Sequence, residues 1–455
     1  MNYYGQTTGV ETLHPRYGGW FSKAACCRDV LEGSPAVHKY VPQLSLQTLQ
    51  DYQAYLARPA FFNATARTLT GLSGAIFRRP PEVTAPTAMD PQLLDVDLAG
   101  TSLVEMATYV TDEVLAVGRH GILIDYNDAA GRPVWVNYAG EDVLNWEQSL
   151  FDGRPQLTFV VLRETVWGPD GSVAPGARFQ RQPIVQYRAM ELTDSGLMVT
   201  LWQKESSGIR ITTTALPVRR GQALRFIPFV FLGPEGVDST PSRPPLIDLA
   251  DINLSHFRSS CDLEHGRFWT SLPTPWVSGW KGVDGPTIGP SRVWAMEDPG
   301  ARAGFLEFSG AGLASLERAL VEKERQMQVV GARLLESQAT HQEAAATVRL
   351  RQAGDLSAIS RLAHAVSRGL TQALRYHAWW WAFDNTDDVQ VRLNQDFFES
   401  YLAPAEITAL MQLWQHGAIS YHTLFANLEA GELTRAGVTA EDERAAIAAV
   451  RQEAV

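Results

Sequence analysis

Apolar residues recur along this chain with two periods, and the places where the period changes divide it into four stretches. In the first, Met1 to about Gly100, Leu44 to Leu56 is amphipathic and Pro59 interrupts it. Ala60 to Ala75 resumes a helical pattern through Phe61, Phe62, Leu69 and Leu72. Arg78-Arg79-Pro80-Pro81 ends it, because proline lacks an amide donor and restricts the residue before it. Glu82 to Leu98, acidic and proline-containing, reads as a loop.

The second stretch, Thr101 to about Arg243, opens on a helix. Ser102 with Glu105 three residues on is a capping-box pattern. Leu103, Met106, Val110, Val114 and Val117 follow at helical spacing, and Gly118 and Gly121 flank the exit. The period then shortens. Strands are expected at Gly121–Tyr126, Val134–Tyr138, Leu157–Glu164, Ile184–Glu191, Leu197–Gln203, Ile209–Thr214 and Ile227–Leu232, with Gly, Asp and Pro turns between them. Short strands in succession without intervening helices indicate an antiparallel meander.

The third stretch is the most telling. Leu246, Ala250, Leu254, Phe257, Cys261 and Phe268 lie on one helix face over Leu246 to about Arg267, behind Pro244-Pro245. A Pro-, Gly- and Trp-rich excursion runs from Ser271 to Gly312, with strand candidates at Trp276–Trp280 and Arg292–Met296. A second helix returns with Leu313, Leu316, Leu320, Met327, Val330 and Leu334 along one face. Its other faces carry Glu317, Arg318, Glu322, Lys323, Glu324 and Arg325, which can pair at three- and four-residue spacing. Two helices joined by a small non-helical module make a stalk with a tip more readily than they make an active site.

In the fourth stretch Gln338 to Thr347 is Ala/Gln/Glu-rich and weakly amphipathic, a pattern that allows a mobile helical loop. Leu356, Ile359, Ala363, Val366, Leu370 and Ala373 mark a helix ending at Trp379-Trp380-Trp381. Two or three short helices, at Pro404–His416, Tyr421–Glu429 and Glu441–Gln452, finish the chain.

Composition narrows the functional classes. The 455 residues can bury a large core, and length suggests two to four domains. The net charge is −11 and the isoelectric point about 5.4. Proteins that grip phosphates show basic surfaces, so tight nucleic-acid binding is disfavoured; an acidic surface that DNA merely passes is compatible. Cys26, Cys27 and Cys261 make neither a disulfide framework nor a metal spacing and read as reduced structural thiols. The N-terminus lacks the pattern of a signal peptide, and no apolar run reaches membrane-spanning length. Asn63-Ala-Thr65 and Asn253-Leu-Ser255 therefore match the glycosylation pattern by chance. A cytoplasm-like compartment is expected.

Catalytic motifs do not emerge. The sequence contains no phosphate loop of the GxxxxGK[ST] type and no HExxH. Phe308-Ser-Gly-Ala-Gly312 lacks a third glycine, and Gly71-Leu72-Ser73-Gly74 is not a nucleophile elbow. His256 and His265 are nine apart, which does not set two ligands level on one helix face. Asp125 reads as the polar end of an ordinary strand. The Trp379–Trp381 cluster lacks the basic surroundings of a stacking platform and reads as a buried helix end. Trp276 and Trp280 serve equally well as exposed contacts or as the core of a small β module. No enzyme activity, cofactor or metal is expected.

Several stretches, in their order, resemble bacteriophage portal proteins, specifically a tailed-phage family first catalogued as a domain of unknown function. They are Trp20 to Gly33 with Arg28-Asp29; Tyr40-Val-Pro; and Tyr52 to Pro81 with Arg58, Phe61, Asn63, Arg67-Thr68, Gly71-Leu72, Gly74 and Phe77-Arg78. Then come Glu141 to Trp146; Ile252 to Arg258 with His265 and Leu272-Pro-Thr-Pro275; and Met327 to Leu335 with Gly331-Ala-Arg333. One departure is Glu343-Ala-Ala-Ala-Thr347, where the family pattern would have a Glu-Thr-Ala run.

The resemblance implies an α+β subunit with an α/β wing, a paired-helix stem, a small β-containing clip and a C-terminal helical crown. Residues 1–245 would be the wing, 246–267 and 313–337 the stem helices, 268–312 the clip, 338–352 a tunnel loop, 353–395 a helix returning to the wing and 396–455 the crown. Such subunits form a ring, usually of about twelve, at one capsid vertex. The ring would be a conduit for genome packaging by a terminase motor and for ejection, and a platform for head–tail adaptor and tail proteins. The terminase large subunit, capsid and scaffolding proteins would be further partners, and double-stranded DNA would pass without sequence-specific binding. The resemblance places the protein in the virion after assembly in the host cytoplasm, with no membrane contact. Lys323, Arg325, Arg333, Gln342 and Arg349 are candidates for facing the channel. Trp276, Trp280 and Lys281 are candidates for terminase or adaptor contact, and Val321 and Leu335 for the subunit interface. Another head–tail connector or virion structural protein, or an enzyme with an unrecognised site, are the rival classes.

Overall fold

A computed structural model describes residues 9–169, 181–205, 208–272, 274–280, 294, 296, 298–306, 310–332, 345–381, 383–395, 397, 404–430, 433–434 and 438–453. The chain divides into two compact units, residues 1–395 and 396–455. Its class is α+β: helices and antiparallel strands occupy separate runs of the sequence.

Three helices come first: α1 (Trp20–Glu32), α2 (Leu49–Ala57) and α3 (Ala64–Ile76). Periodicity did not single out α1, because small Ala24, Cys26 and Cys27 make up much of its buried face. α2 starts where Thr48 accepts from the amide of Asp51, and α3 where Asn63 accepts from that of Ala66. The expected loop after α3 contains β1 (Glu82–Thr84) and α4 (Asp90–Leu93). α5 (Leu103–Val117) carries both arms of the capping box: Ser102 Oγ accepts from Glu105 N, and Glu105 Oε2 accepts from Ser102 N. Gly118 ends it in the left-handed region, where a Cβ would lie 2.9 Å from the carbonyl oxygens of both Ser242 and Arg243.

The strands form two main sheets rather than one meander. β2 (His120–Asn127), β3 (Arg132–Ala139) and the later β11 (Phe229–Leu232) make a three-stranded sheet in the order β11-β2-β3. β4 (Val143–Phe151), β5 (Arg154–Pro169), β6 (Arg181–Thr193), β7 (Gly196–Glu205) and β8 (Gly208–Ala215) form a five-stranded meander. β4 escaped the sequence reading because its second half, from Glu147, is exposed and polar-rich. Short β9 (Val218–Arg219) and β10 (Gln222–Ala223) pair before β11. A polar network ties the two sheets. Arg188 of β6 pairs with Glu164 of β5 at 2.7 Å and with Asp125 of β2 at 3.2 Å, and Tyr138 of β3 donates to Glu164 at 2.5 Å. Asp125 thus serves as an ion-pair partner.

After β11 come α6 (Ile247–Ser271), β12 (Thr274–Ser278), β13 (Arg302–Leu306), α7 (Leu313–Ala332), α8 (Ala345–Trp380) and β14 (Gln390–Arg392), which pairs with β1. α8 lies on the three-stranded sheet. Gly369 permits this: a Cβ there would be 2.6 Å from Leu232. The tryptophan cluster is anchored, as its composition implied. Trp380 Nε1 donates to Ile124 O at 3.1 Å, and Trp379 meets Phe226 edge-on with Arg219 over its ring. His377 accepts from Trp135 Nε1 at 3.2 Å and bonds Gln92 Oε1 at 2.6 Å. Burial pushes its pKa down to about 4, so the ring is neutral.

Residues 396–455 hold α9 (Pro404–Gln415), α10 (Tyr421–Ala430) and α11 (Ala440–Glu453), each within about a residue of the expected bounds.

Candidate functional site

The excursion between α6 and α7 is built from its base outward. α6 has 25 residues and so spans roughly 37 Å. Its first half is sunk in a core with α1 and α2, where Cys26, Cys27 and Cys261 come together with Val30, Tyr55, Leu254 and Phe257. Burial pushes the thiols of Cys27 and Cys261 up to about 12, so they stay protonated and serve as packing. Buried Asn253 clamps α6 to the start of α3. Its Oδ1 accepts from Thr65 N and Oγ1, and its Nδ2 donates to Phe62 O.

Residues quoted above from separate stretches meet at this base. Asn63 donates to the carbonyls of Val30 and Leu31. Arg28 bridges Glu113 at 2.8 Å and Glu141 at 2.5 Å. Gly331 lies against α3 so closely that a Cβ would be 2.8 Å from Thr68 Oγ1. Arg58 approaches His265 Nδ1 at 3.3 Å and stacks over Phe268. Trp269 donates to His265 Nε2 at 3.0 Å; a neutral imidazole has one bare nitrogen and accepts from one of the two at a time. Burial and the charge of Arg58 hold the His265 pKa below its ordinary value. His256 is buried and lies 3.3 Å from Glu324. The two histidines therefore belong to packing, and among the described residues no group of three or more metal-ligating side chains occurs.

α7 runs antiparallel to α6: as the residue number rises along α6, its partner's falls along α7. His256 meets Glu324, Ser259 meets Lys323, and Arg267 meets Glu317 at 2.9 Å. Gly266 admits Leu313, which a Cβ would meet at 2.6 Å. Leu313, Leu316, Leu320, Met327 and Gly331 face inward, and Met327 is buried. Lys323 also faces inward. Its Nζ donates to Ser255 O and Ser259 Oγ, and burial holds its ammonium below the usual lysine range. Arg325 is exposed and pairs with Glu322 of its own helix. Val321 is 64% exposed, with nothing among the described residues to cover it.

One expected bound in this region needs correction. α6 continues to Ser271, four residues past the expected end, because Phe268 and Trp269 keep helical contacts with Arg58 and His265. The first tip strand pairs with Arg302–Leu306; the strand expected at Arg292–Met296 lies largely outside the described residues. Residues 345–352, the end of a loop that the sequence allows to be helical, are the first turns of α8, consistent with the helix propensity of Ala345-Ala346. Arg349 thus lies on a helix. Lys281, Arg333, Leu335 and Gln342 lie outside the described residues.

At the tip, β12 and β13 form an antiparallel hairpin in which Trp276 faces Gly304. A Cβ at Gly304 would be 3.2 Å from the indole nitrogen, so glycine gives the ring its seat. Trp276 nevertheless remains 44% exposed; Trp280 is half-buried beyond the strand. Phe268, Trp269, Leu272, Phe305 and Leu306 are exposed too, giving the tip an apolar surface. An open cleft of about 860 Å³ lies below it, lined by Gly266, Trp269, Gly310, Gly312 and Leu316 among others. Of the candidate contact residues, the hairpin thus presents Trp276, a residue that sequence alone left between core and contact.

A protein family described as a domain of unknown function (DUF4055) matches residues 245–381, which run from the start of α6 to the end of α8. No match is found among curated proteins. Among solved structures, the chain aligns with one from the neck of an empty GTA particle computed with C6 symmetry, at 13% identity and a TM-score of 0.39, covering 80% of this chain and 89% of that one. A chain from the neck of the native GTA particle computed with C12 symmetry aligns at 13% identity and a TM-score of 0.35, covering 84% and 94%. One from the virion of a native gene transfer agent (GTA) particle aligns at 14% identity and a TM-score of 0.38, covering 83% and 92%.

Proposed function

We propose that this chain is a phage-type portal subunit that assembles into a ring at one vertex of a capsid. In this reading the ring is the conduit for genome packaging and ejection and the docking platform for head–tail adaptors. The observation that carries it is the antiparallel pair α6–α7, rooted in a buried core at one end and closed by an apolar hairpin at the other. The resemblance of the ordered stretches to portal proteins supports the same reading, and several of those stretches meet at the root of the pair.

The exposed side of α7 suits a conduit wall. Arg325 pairs with Glu322 and Arg267 with Glu317, so no continuous basic track that would hold phosphates forms among the described residues of α7. Val321 and Val329 leave apolar positions uncovered, and a neighbouring copy would bury them. The chain contributes no catalytic step; the ATP chemistry of packaging belongs to a terminase.

Negative-stain images of the purified chain and of particles containing it test the proposal. Rings with an axial hole are expected, with a native mass of about twelve subunits. Val321→Asp, at a site exposed among the described residues, should abolish the ring without shifting the melting temperature, and Leu335→Asp should abolish the ring. Particles whose vertices carry this chain as a monomer, or rings unaffected by both substitutions, would overturn it.

A further inference from the structure

One face of α8 carries Arg361, His364, Arg368, Thr371 and Arg375 in steps of three, four, three and four. This face borders two adjoining clefts of about 800 and 450 Å³, which share His364, Arg368 and Gln395. Arg243 and Arg361 line the first and Arg375 and Arg392 the second; Glu235 is the single carboxylate among the lining residues of either.

Two of these cations, Arg368 and Arg375, are held in place by backbone carbonyls. Arg368 Nη2 donates to the backbone carbonyl of Glu235 at 3.2 Å and lies over Gly236, where a Cβ would be 2.8 Å away. Arg375 donates to the backbone carbonyls of Val389 and Asp387. Arg392 is exposed on β14, opposite Glu82 in the strand register but not ion-paired with it. Among the described residues Arg368, Arg375 and Arg392 have no carboxylate partner, and Arg243 pairs with Asp248. The floor is rigid. Thr371 Oγ1 exchanges hydrogen bonds with the backbone of Val391, and Ser367 Oγ accepts from Leu393 N. The walls include Pro234, Pro245, Leu246 and Ile359.

Arg368, Arg375 and Arg392, without carboxylate partners among the described residues, suit an anion of complementary spacing on a chain of net charge −11. Arg368 and Arg375 are two helical turns, about 10 Å, apart, which an extended peptide covers in about three residues. Nucleic acid would reward an unbroken basic track, whereas here apolar wall separates the cations. We propose that this face docks an extended acidic segment of a partner protein, with carboxylates about three residues apart and apolar residues between them. The groove consists of residues of one subunit, so its occupancy does not depend on ring formation.

The test is fluorescence anisotropy of the intact chain with a labelled peptide of about ten residues, Glu at every third position and Leu and Ser between. Saturable binding that weakens with salt is expected. Arg368→Glu and Arg392→Glu should each weaken it about tenfold or more, with thermal melts confirming that both variants fold. The same peptide with Gln for Glu should not bind. Equal binding of the Gln peptide, indifference to both substitutions, or tighter binding of single-stranded DNA of similar length would overturn the proposal.

Discussion

Acid should act on this fold through His377. The ring has no exposed surface and is neutral, accepting from Trp135 at Nδ1 and donating from Nε2 to Gln92. Burial lowers its pKa from 6.5 to about 4, whereas in the unfolded chain the ring titrates near its ordinary value. Below pH 6.5 the unfolded chain therefore binds a proton that the folded chain refuses. The stability this group carries is complete above pH 6.5 and falls as pH drops towards about 4, by about 3 kcal/mol in all. Carboxylates lose stability over part of the same range, so the comparison must be with His377→Gln, whose amide can both accept and donate but does not titrate. Urea unfolding followed by tryptophan fluorescence, at about pH 7 and about pH 4.5, measures both proteins. Wild type should lose about 2 kcal/mol more than the variant between the two conditions. Parallel losses would refute the neutral buried ring and the tautomer assigned to it.

Two further substitutions test the scaffold. Arg188→Ala leaves Glu164 without its cation between the sheets and should cost about 3 kcal/mol near neutral pH. Burial raises the Glu164 carboxyl, but Arg188, Tyr138 and Gln186 outweigh it and hold the group below its usual 4.5; the stability it carries is present above that value and lost as pH falls, so the cost of the substitution should shrink in acid urea melts. Gly118→Ala forces a side chain into the left-handed region against two carbonyl oxygens and should lower stability by more than about 1 kcal/mol in a calorimetric scan.

Local physics was legible in the sequence. The capping box at Ser102 and Glu105, the apolar stripes of α5, α6 and α7, and the three short terminal helices depend on residues a few positions apart, so their spacing alone announces them. The same holds for the anchoring of the tryptophan cluster, since three indoles with no run of Lys and Arg beside them in the sequence have little to gain at a surface. The helix–excursion–helix order also followed from periodicity and proline placement.

Everything decided by distant partners had to come from tertiary structure. The partner of the first tip strand lies beyond a long intervening segment, so no turn signal could name Arg302–Leu306. The break from one sheet to the other between β3 and β4 is a matter of which strand edges pair, which alternation does not encode. Lys323 looks like a surface cation in sequence, and only the antiparallel register with α6 turns it towards Ser255 and Ser259. Asn253 and Thr65, His377 and Gln92, and Arg28 and Glu141 meet across long separations because buried polar groups must find partners wherever the packed core offers them. By itself the sequence determined which segments are helices and where the chain turns back; the tertiary structure decided which faces are used up within the subunit and which, such as Val321, Trp276 and the arginine face of α8, remain open to others.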